Sequence, residues 1–409
     1  MSILGITTST VAALVRPVTA DEHDRRAVGD RFARATWTAI SEPGDRIAAR
    51  VIDAVGAETA LGCLIDDRDG GMLRHALADA GVDIDEPELT DAVKRWVPRV
   101  SKADALLAFR QAARFGIALL VPSDPEWPSG FADLGDHAPH ALWVRGSRDA
   151  LLALDRSLAI VGARAATGYG EHVTIESAAG LVDRGYAIVS GAAYGIDGAA
   201  HRSALASGGT TIAFLAGGLD RFYPSGHDAL LGRIVERGAA VSEVPCGVAP
   251  TKWRFLQRNR LIAAAARATV VVEAGARSGS LNTAGHAAAL GRPLGAVPGP
   301  VTSSASAGCH RLLREYDAVC VTTADEMAEL APLHDATEAP PADEPRAAFD
   351  PSGTRIRLLD ALAPRSARTP EKIAAISGLA VDRVRAELGL LALEGVVRER
   401  AGGWVRSAS

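Results

Sequence analysis

Cysteine is scarce. Cys63, Cys246, Cys309 and Cys320 are spread over 409 residues without a C-x-x-C pair, which leaves no disulfide framework and points to a reducing, cytoplasmic setting. No run approaches the roughly 18 apolar residues of a membrane-spanning helix. The opening MSILGITTSTVAALVRP lacks the basic start of a secretory leader, so no membrane association is expected. Lysine is rarer still, with four against forty arginines, and Lys252 stands alone between residues 121 and 330. A phosphate-binding G-x-x-x-x-G-K-[ST] loop is thereby excluded. G-x-G-x-x-G directly after a strand-like run, a G-x-S-x-G elbow around Ser190 and any His/Cys/Asp cluster with zinc spacing are also missing, which argues against dinucleotide, serine-hydrolase and structural-zinc chemistry.

What is present is ordinary for a globular chain: 48% apolar and 23% charged residues, with length for two or three domains of about 150 residues. Composition divides it into a helical region (1–120), a middle region of alternating strand-like and helical runs (121–330), a Pro- and acid-rich linker (331–351) and a compact tail (352–409). The net charge of −5 conceals a gradient. From Val244 to Arg314 there are nine basic residues and one acid, Glu273, a net of +8 against −13 for the remainder. Such clustering is the electrostatic signature of an anionic ligand.

The middle region carries apolar runs SLAIV, YAIVS, TTIAFL, AAVSEV, ATVVV, PLGAV and AVCVT, spaced about 25 to 30 residues apart with helical segments between. This period predicts parallel strands joined by right-handed crossovers, an α/β, extended Rossmann-like, doubly wound sheet. Ligands of such sheets lie beyond the carboxyl ends of the strands, where the loops GARAATGYG, SGAAYGID, AGGLD, EAGARSGSLNTA and PGPVTSS are rich in small residues. Backbone amides in such loops cradle phosphates. Asp197 and His201, four apart at a helix start, are expected to cap and to hydrogen-bond locally rather than to catalyse. The segment PTKWRFLQRNRLIAAAAR (250–267) interleaves cations with aromatics. Arginine clamps phosphate, and an exposed ring gives a base a surface to stack on. Phe255 is expected to serve that role, while Trp253 is as consistent with a core position.

The ordered motifs VGAR–ATGYG, SGAAYGIDGAAH, GGLDRFYP, SEVP–P–F–QRNRLIA, VVVEAGARSGSLNTA and GRPLGAVPG, preceded by DPEWP and PHALWVRG, resemble the DprA (Smf) family of bacterial DNA-processing proteins. The resemblance covers about 121–325 strongly. It extends weakly to an N-terminal SAM-like helical domain and a C-terminal winged-helix domain. It implies a homodimer that binds single-stranded DNA without sequence preference, helps load the RecA recombinase during natural transformation, uses no cofactor and is not an enzyme. Site residues carried over are Gly162 and Arg164 of the GAR loop, Ser190 and Gly191, Lys252 and Phe255, the triplet Arg258, Asn259 and Arg260, and Ser278 and Gly279. Arg164, Lys252, Arg258 and Arg260 would contact phosphates. Cys309 and His310 depart from the family's glycine followed by asparagine.

Two other functions stay open. A nucleotide N-glycosidase or phosphoribohydrolase shares this kind of sheet but carries PGGxGTxxE, whereas AGGLDRFYP here lacks the glutamate. A nucleotide sensor would use the same glycine loops for one mononucleotide. In the tail, three helices and a wing turning at Ala401–Gly403 predict a winged helix, yet its third helix is acidic and leucine-rich. A groove-reading helix needs cations and polar side chains, so this module is expected to serve protein contacts or dimer support and to add little DNA affinity.

Overall fold

A computed structural model describes residues 2–19, 25–333, 354–363, 366–393 and 395–406. Apart from its first residues, the expected linker lies outside them. A short hairpin, β1 (Ser2–Ile3) and β2 (Ile6–Thr7), precedes seven α-helices that end with Lys102–Arg114. Local chemistry sets their limits. Asp45 caps Arg46–Val55 by accepting the Ile47 and Ala48 amides, and Gly56, at φ 82°, turns the chain into the next helix. The apolar face of Arg46–Val55 joins Trp37, Leu61, Leu73 and Trp96 in a core of their own. The indoles of Trp37 and Trp96 meet edge to face at 5.1 Å. The first and last of these helices instead pack on the sheet, with Val11, Val15 and Phe109 against Leu119 and Trp143.

The sheet has nine strands: β3 (Ile117–Leu120), β4 (Leu142–Gly146), β5 (Ser157–Val161), β6 (Ala187–Ser190), β7 (Thr211–Leu215), β8 (Ala239–Ser242), β9 (Ala268–Val271), β10 (Leu294–Ala296) and β11 (Val319–Cys320). Their order is β11-β10-β9-β5-β6-β7-β8-β4-β3. β5 to β11 are the seven apolar runs, and neighbouring strands among them are parallel. β4 runs antiparallel to β8, and β3 to β4. Side chains alternate across the sheet as the pleat demands. Ala159, Val161, Phe214 and Val271 face the helices Lys252–Ala265, Ser280–Ala289 and Ala307–Glu315. Leu158, Ile160, Ile188 and Val270 face Gly168–Asp183 and Ile196–Ala206.

The chain steps outward from β5 through β8 and then returns to the other side of β5 for β9. That reversal opens a crevice between the β5 and β9 loops, the usual ligand position in open α/β sheets. The tail comprises helices Thr354–Asp360, Pro370–Ser377 and Val381–Leu393, then the wing β12 (Val397–Arg400) and β13 (Gly403–Arg406). Leu358, Ile373, Val384, Leu388 and Val397 form its core. Among the described residues, no helix is long and apolar enough to cross a membrane.

Candidate nucleic-acid interface

At the crevice lies a cleft of about 1080 Å³, walled by the β5 loop, the first turns of the Lys252–Ala265 helix and the β9 loop. The β5 loop is held from behind. Thr167 donates its amide and hydroxyl to the Glu273 carboxylate at 2.9 and 2.6 Å, and the Ala163 amide donates to the Glu273 carbonyl at 2.7 Å. Glu273, the sole acid of the basic segment, is buried and braces the loop that presents Arg164. A Cβ on Gly162 would stand 2.6 Å from Ile196, so this glycine serves close packing of the β5 loop on the start of the Ile196–Ala206 helix that follows β6.

Thr251 caps the Lys252–Ala265 helix by accepting the Arg254 amide. Lys252 and Phe255, three apart, share one face and both line the cleft, Lys252 exposed and Phe255 half-buried. The guanidinium of Arg164 lies 5.2 Å from the Phe255 ring centre, that of Arg258 5.7 Å, and the Tyr223 ring 5.5 Å. Ser278 and Gly279 line the opposite wall, with open space above Gly279. Two members escaped sequence reasoning. Tyr223, 49% exposed, and Arg277, also exposed, border the same cleft. The signal for Arg277 was its place inside a glycine-rich loop after a strand, and for Tyr223 its aromatic ring in the loop after β7.

Four expected site residues take other roles. Arg260 is 2% exposed and bound to both oxygens of Glu243 at 2.7 Å, with its Nε donating to the His137 carbonyl at 2.9 Å. Its phosphate contact is corrected to a buried ion pair. Ser190 is fully buried and donates to the Ile160 carbonyl at 2.6 Å. The Gly191 amide is taken by Asp197 at 3.1 Å and its carbonyl by Arg258 at 2.8 Å. Neither Ser190 nor Gly191 presents a group to a ligand. Arg258, buried, also donates to the Phe214 carbonyl and to Asn259. Desolvation lowers its pKa to about 10 against the pull of Asp197. It buttresses the ends of β6 and β7 and reaches the cleft with one edge. Asn259 stays at the cleft wall and donates to the Gly279 carbonyl and Asn282 at 3.3 and 3.1 Å, which fixes the β9 loop.

Asp197 does not cap its helix, where Gly195 holds the cap position. It gathers the Gly191 and Ala193 amides of the preceding loop, and burial raises its pKa. His201, fully buried, lies 2.7 Å from the Thr211 hydroxyl, and burial lowers its pKa to about 3. Trp253 is buried beneath Arg357 of the tail, away from the cleft. Much of the local arginine surplus is neutralised by acids elsewhere in the fold: Arg254 by Glu42, Arg260 by Glu243, Arg292 by Asp133 and Arg311 by Glu315. The cations left exposed at the cleft are Arg164, Lys252 and Arg277. Among the described residues lining it, Asp197 is the one carboxylate, and its hydrogen bonds commit it to the loop. Cys309 is buried under the carbonyls of Val271 and Val272, and desolvation pushes its thiol up to about 12.

A doubly wound sheet with a cation-rimmed, aromatic-floored cleft at its switch point defines a Rossmann-like protein with a winged-helix tail. Residues 118–332 match the family of DNA recombination-mediator protein A, and 340–403 match the DprA winged helix domain. The chain belongs to the DprA/Smf family of DNA-processing proteins. It is 50% identical over 302 residues to a DNA processing protein DprA of Mycobacterium tuberculosis, covering 71% of this chain and 77% of the relative. Protein Smf of Escherichia coli is 38% identical over 262 residues, 58% of this chain and 69% of that protein. The X-ray structure of DprA from Streptococcus pneumoniae superposes with a TM-score of 0.59 at 28% identity, covering 75% of this chain and 99% of that one.

Proposed function

We propose that the cleft binds single-stranded DNA without sequence preference, and that the protein, as a homodimer, shelters the strand and passes it to a RecA-type recombinase without catalysing a reaction itself. The observation that carries this reading is the Phe255 ring, set among Arg164, Arg258 and Tyr223 in an open cleft. A base must leave a duplex to stack on such a ring, and every base has a face to offer. Arg164, Lys252 and Arg277 then track the backbone. Three phosphate contacts give a slope of log K against log salt of about −2, at roughly −0.7 per contact on single strands. Fluorescence anisotropy with oligo-dT across a salt series tests this. Lys252→Ala should make the slope shallower by about 0.7 and weaken all sequences alike; a flat salt response refutes the reading.

A further inference from the structure

The Lys252–Ala265 helix faces two neighbours at once. Lys252 and Phe255 look into the cleft, while Trp253 and Arg254 are buried against other parts of the chain. The last turn of Thr354–Asp360, in the tail, lies on this second side. Asp360 Oδ2 accepts the Trp253 amide at 3.1 Å, and the Arg357 guanidinium sits 5.2 Å over the Trp253 indole. Arg357 is itself fixed by the Ser377 and Gly378 carbonyls, each 2.9 Å away. Next to it Glu42, from the N-terminal region, binds Arg254 through both oxygens and pairs with Arg99.

The first amides of a helix have no partner within it, and their partial positive charge attracts anions. Here a carboxylate of the tail already holds the Trp253 amide. Pro250, Thr251 and Lys252, at that same helix end, line the cleft, so the anion position filled by Asp360 adjoins the wall along which a phosphodiester chain would run. The docked seam is also incompletely satisfied. The indole Nε1 of Trp253, a residue nine-tenths buried, has no hydrogen-bond partner, and an unpaired buried donor favours release of whatever covers it.

We propose that the winged-helix tail is an internal competitor for the DNA site: Asp360 occupies, in the free protein, an anion position that a phosphate takes when a strand enters, and the tail leaves Trp253 as it does so. The proposal rests on the cleft being the single-strand site. It assigns the tail a gating role in place of duplex reading, in keeping with its acidic third helix.

The test is oligo-dT anisotropy on the full-length chain with Asp360→Asn, each measured with and without Lys252→Ala. Losing the carboxylate should tighten binding about three- to tenfold and leave the salt slope unchanged, since the same phosphates are neutralised in both complexes. Hydroxyl-radical oxidation of Trp253 in the unaltered protein should rise when oligo-dT is added. If Lys252→Ala weakens binding but Asp360→Asn leaves it unchanged, or Trp253 stays protected on DNA, the gate is overturned and the cleft reading stands. If Lys252→Ala has no effect, the cleft reading falls and the gate with it.

Discussion

Arg260 separates a structural arginine from a DNA-binding one. Its side chain and that of Glu243 are 3% and 8% exposed, and Glu243 also receives the Gly44 amide at 3.4 Å. His140 lies in the same electrostatic neighbourhood, but desolvation lowers its pKa to about 4 although Glu243 pulls the other way, so a neutral imidazole offers no replacement charge at pH 7. Arg260→Ala therefore strands a buried carboxylate, and breaking a buried pair from one side costs about 3–5 kcal/mol. Guanidinium unfolding followed by circular dichroism should show that loss, while the salt slope for oligo-dT, measured on the folded fraction, stays as in the unaltered protein. Replacing both partners, Arg260→Met with Glu243→Leu, should recover most of the stability, because two matched apolar groups carry no desolvation cost. A stable Arg260→Ala protein with a shallower salt slope would refute the assignment and return Arg260 to the phosphate contacts.

Phe255→Ala should weaken oligo-dT binding about tenfold, within the ~1–3 kcal/mol of a base stacked on an aromatic ring, and leave the melting temperature nearly unchanged; a destabilised variant that keeps its affinity when folded would make the ring a core residue. Tyr223→Ala should weaken binding in the same direction by about threefold or more, and an unchanged affinity would remove Tyr223 from the strand's path. Burial holds His140, His201 and His286 at about 4, 3 and 4, below the free value of 6.5. Below pH 6.5 the unfolded chain takes up protons that the native state refuses, so their contribution is complete above pH 6.5 and is lost as pH falls toward 4. The denaturation midpoint should drop between pH 7 and pH 5, and a flat profile there would contradict the three buried neutral rings.

Six of the seven parallel strands, β5 to β10, were legible because each is a short apolar run buried along its length, and the period between runs leaves few topologies; β11, exposed at the sheet edge, was legible from that period alone. β3 was not legible: IALL follows the helix ending at Arg114 with Gly116, at φ 63°, as the one break, and its apolar residues continue the helical pattern. At the site, loop composition located the cleft, and local order placed Lys252 and Phe255 on one helical face. What it did not supply was the long-range pairing. Arg254 meets Glu42 and Arg292 meets Asp133 across more than 150 residues, so a charge count along the chain overstated the positive field at the cleft. The RNR triplet shows the same limit, since helical geometry sends Arg258, Asn259 and Arg260 to three different partners, two of them backbone carbonyls and one an acid at the end of β8.

The most direct measurement is a titration of fluorescent oligo-dT against the full-length protein, with free nucleotides as competitors and with Lys252→Ala and Phe255→Ala alongside. Saturable strand binding that mononucleotides do not displace, and that both substitutions weaken in a folded protein, is the predicted result. Displacement of the strand by mononucleotides at matched nucleotide concentration, or unaltered affinity in both variants, would contradict the cleft as a single-strand site.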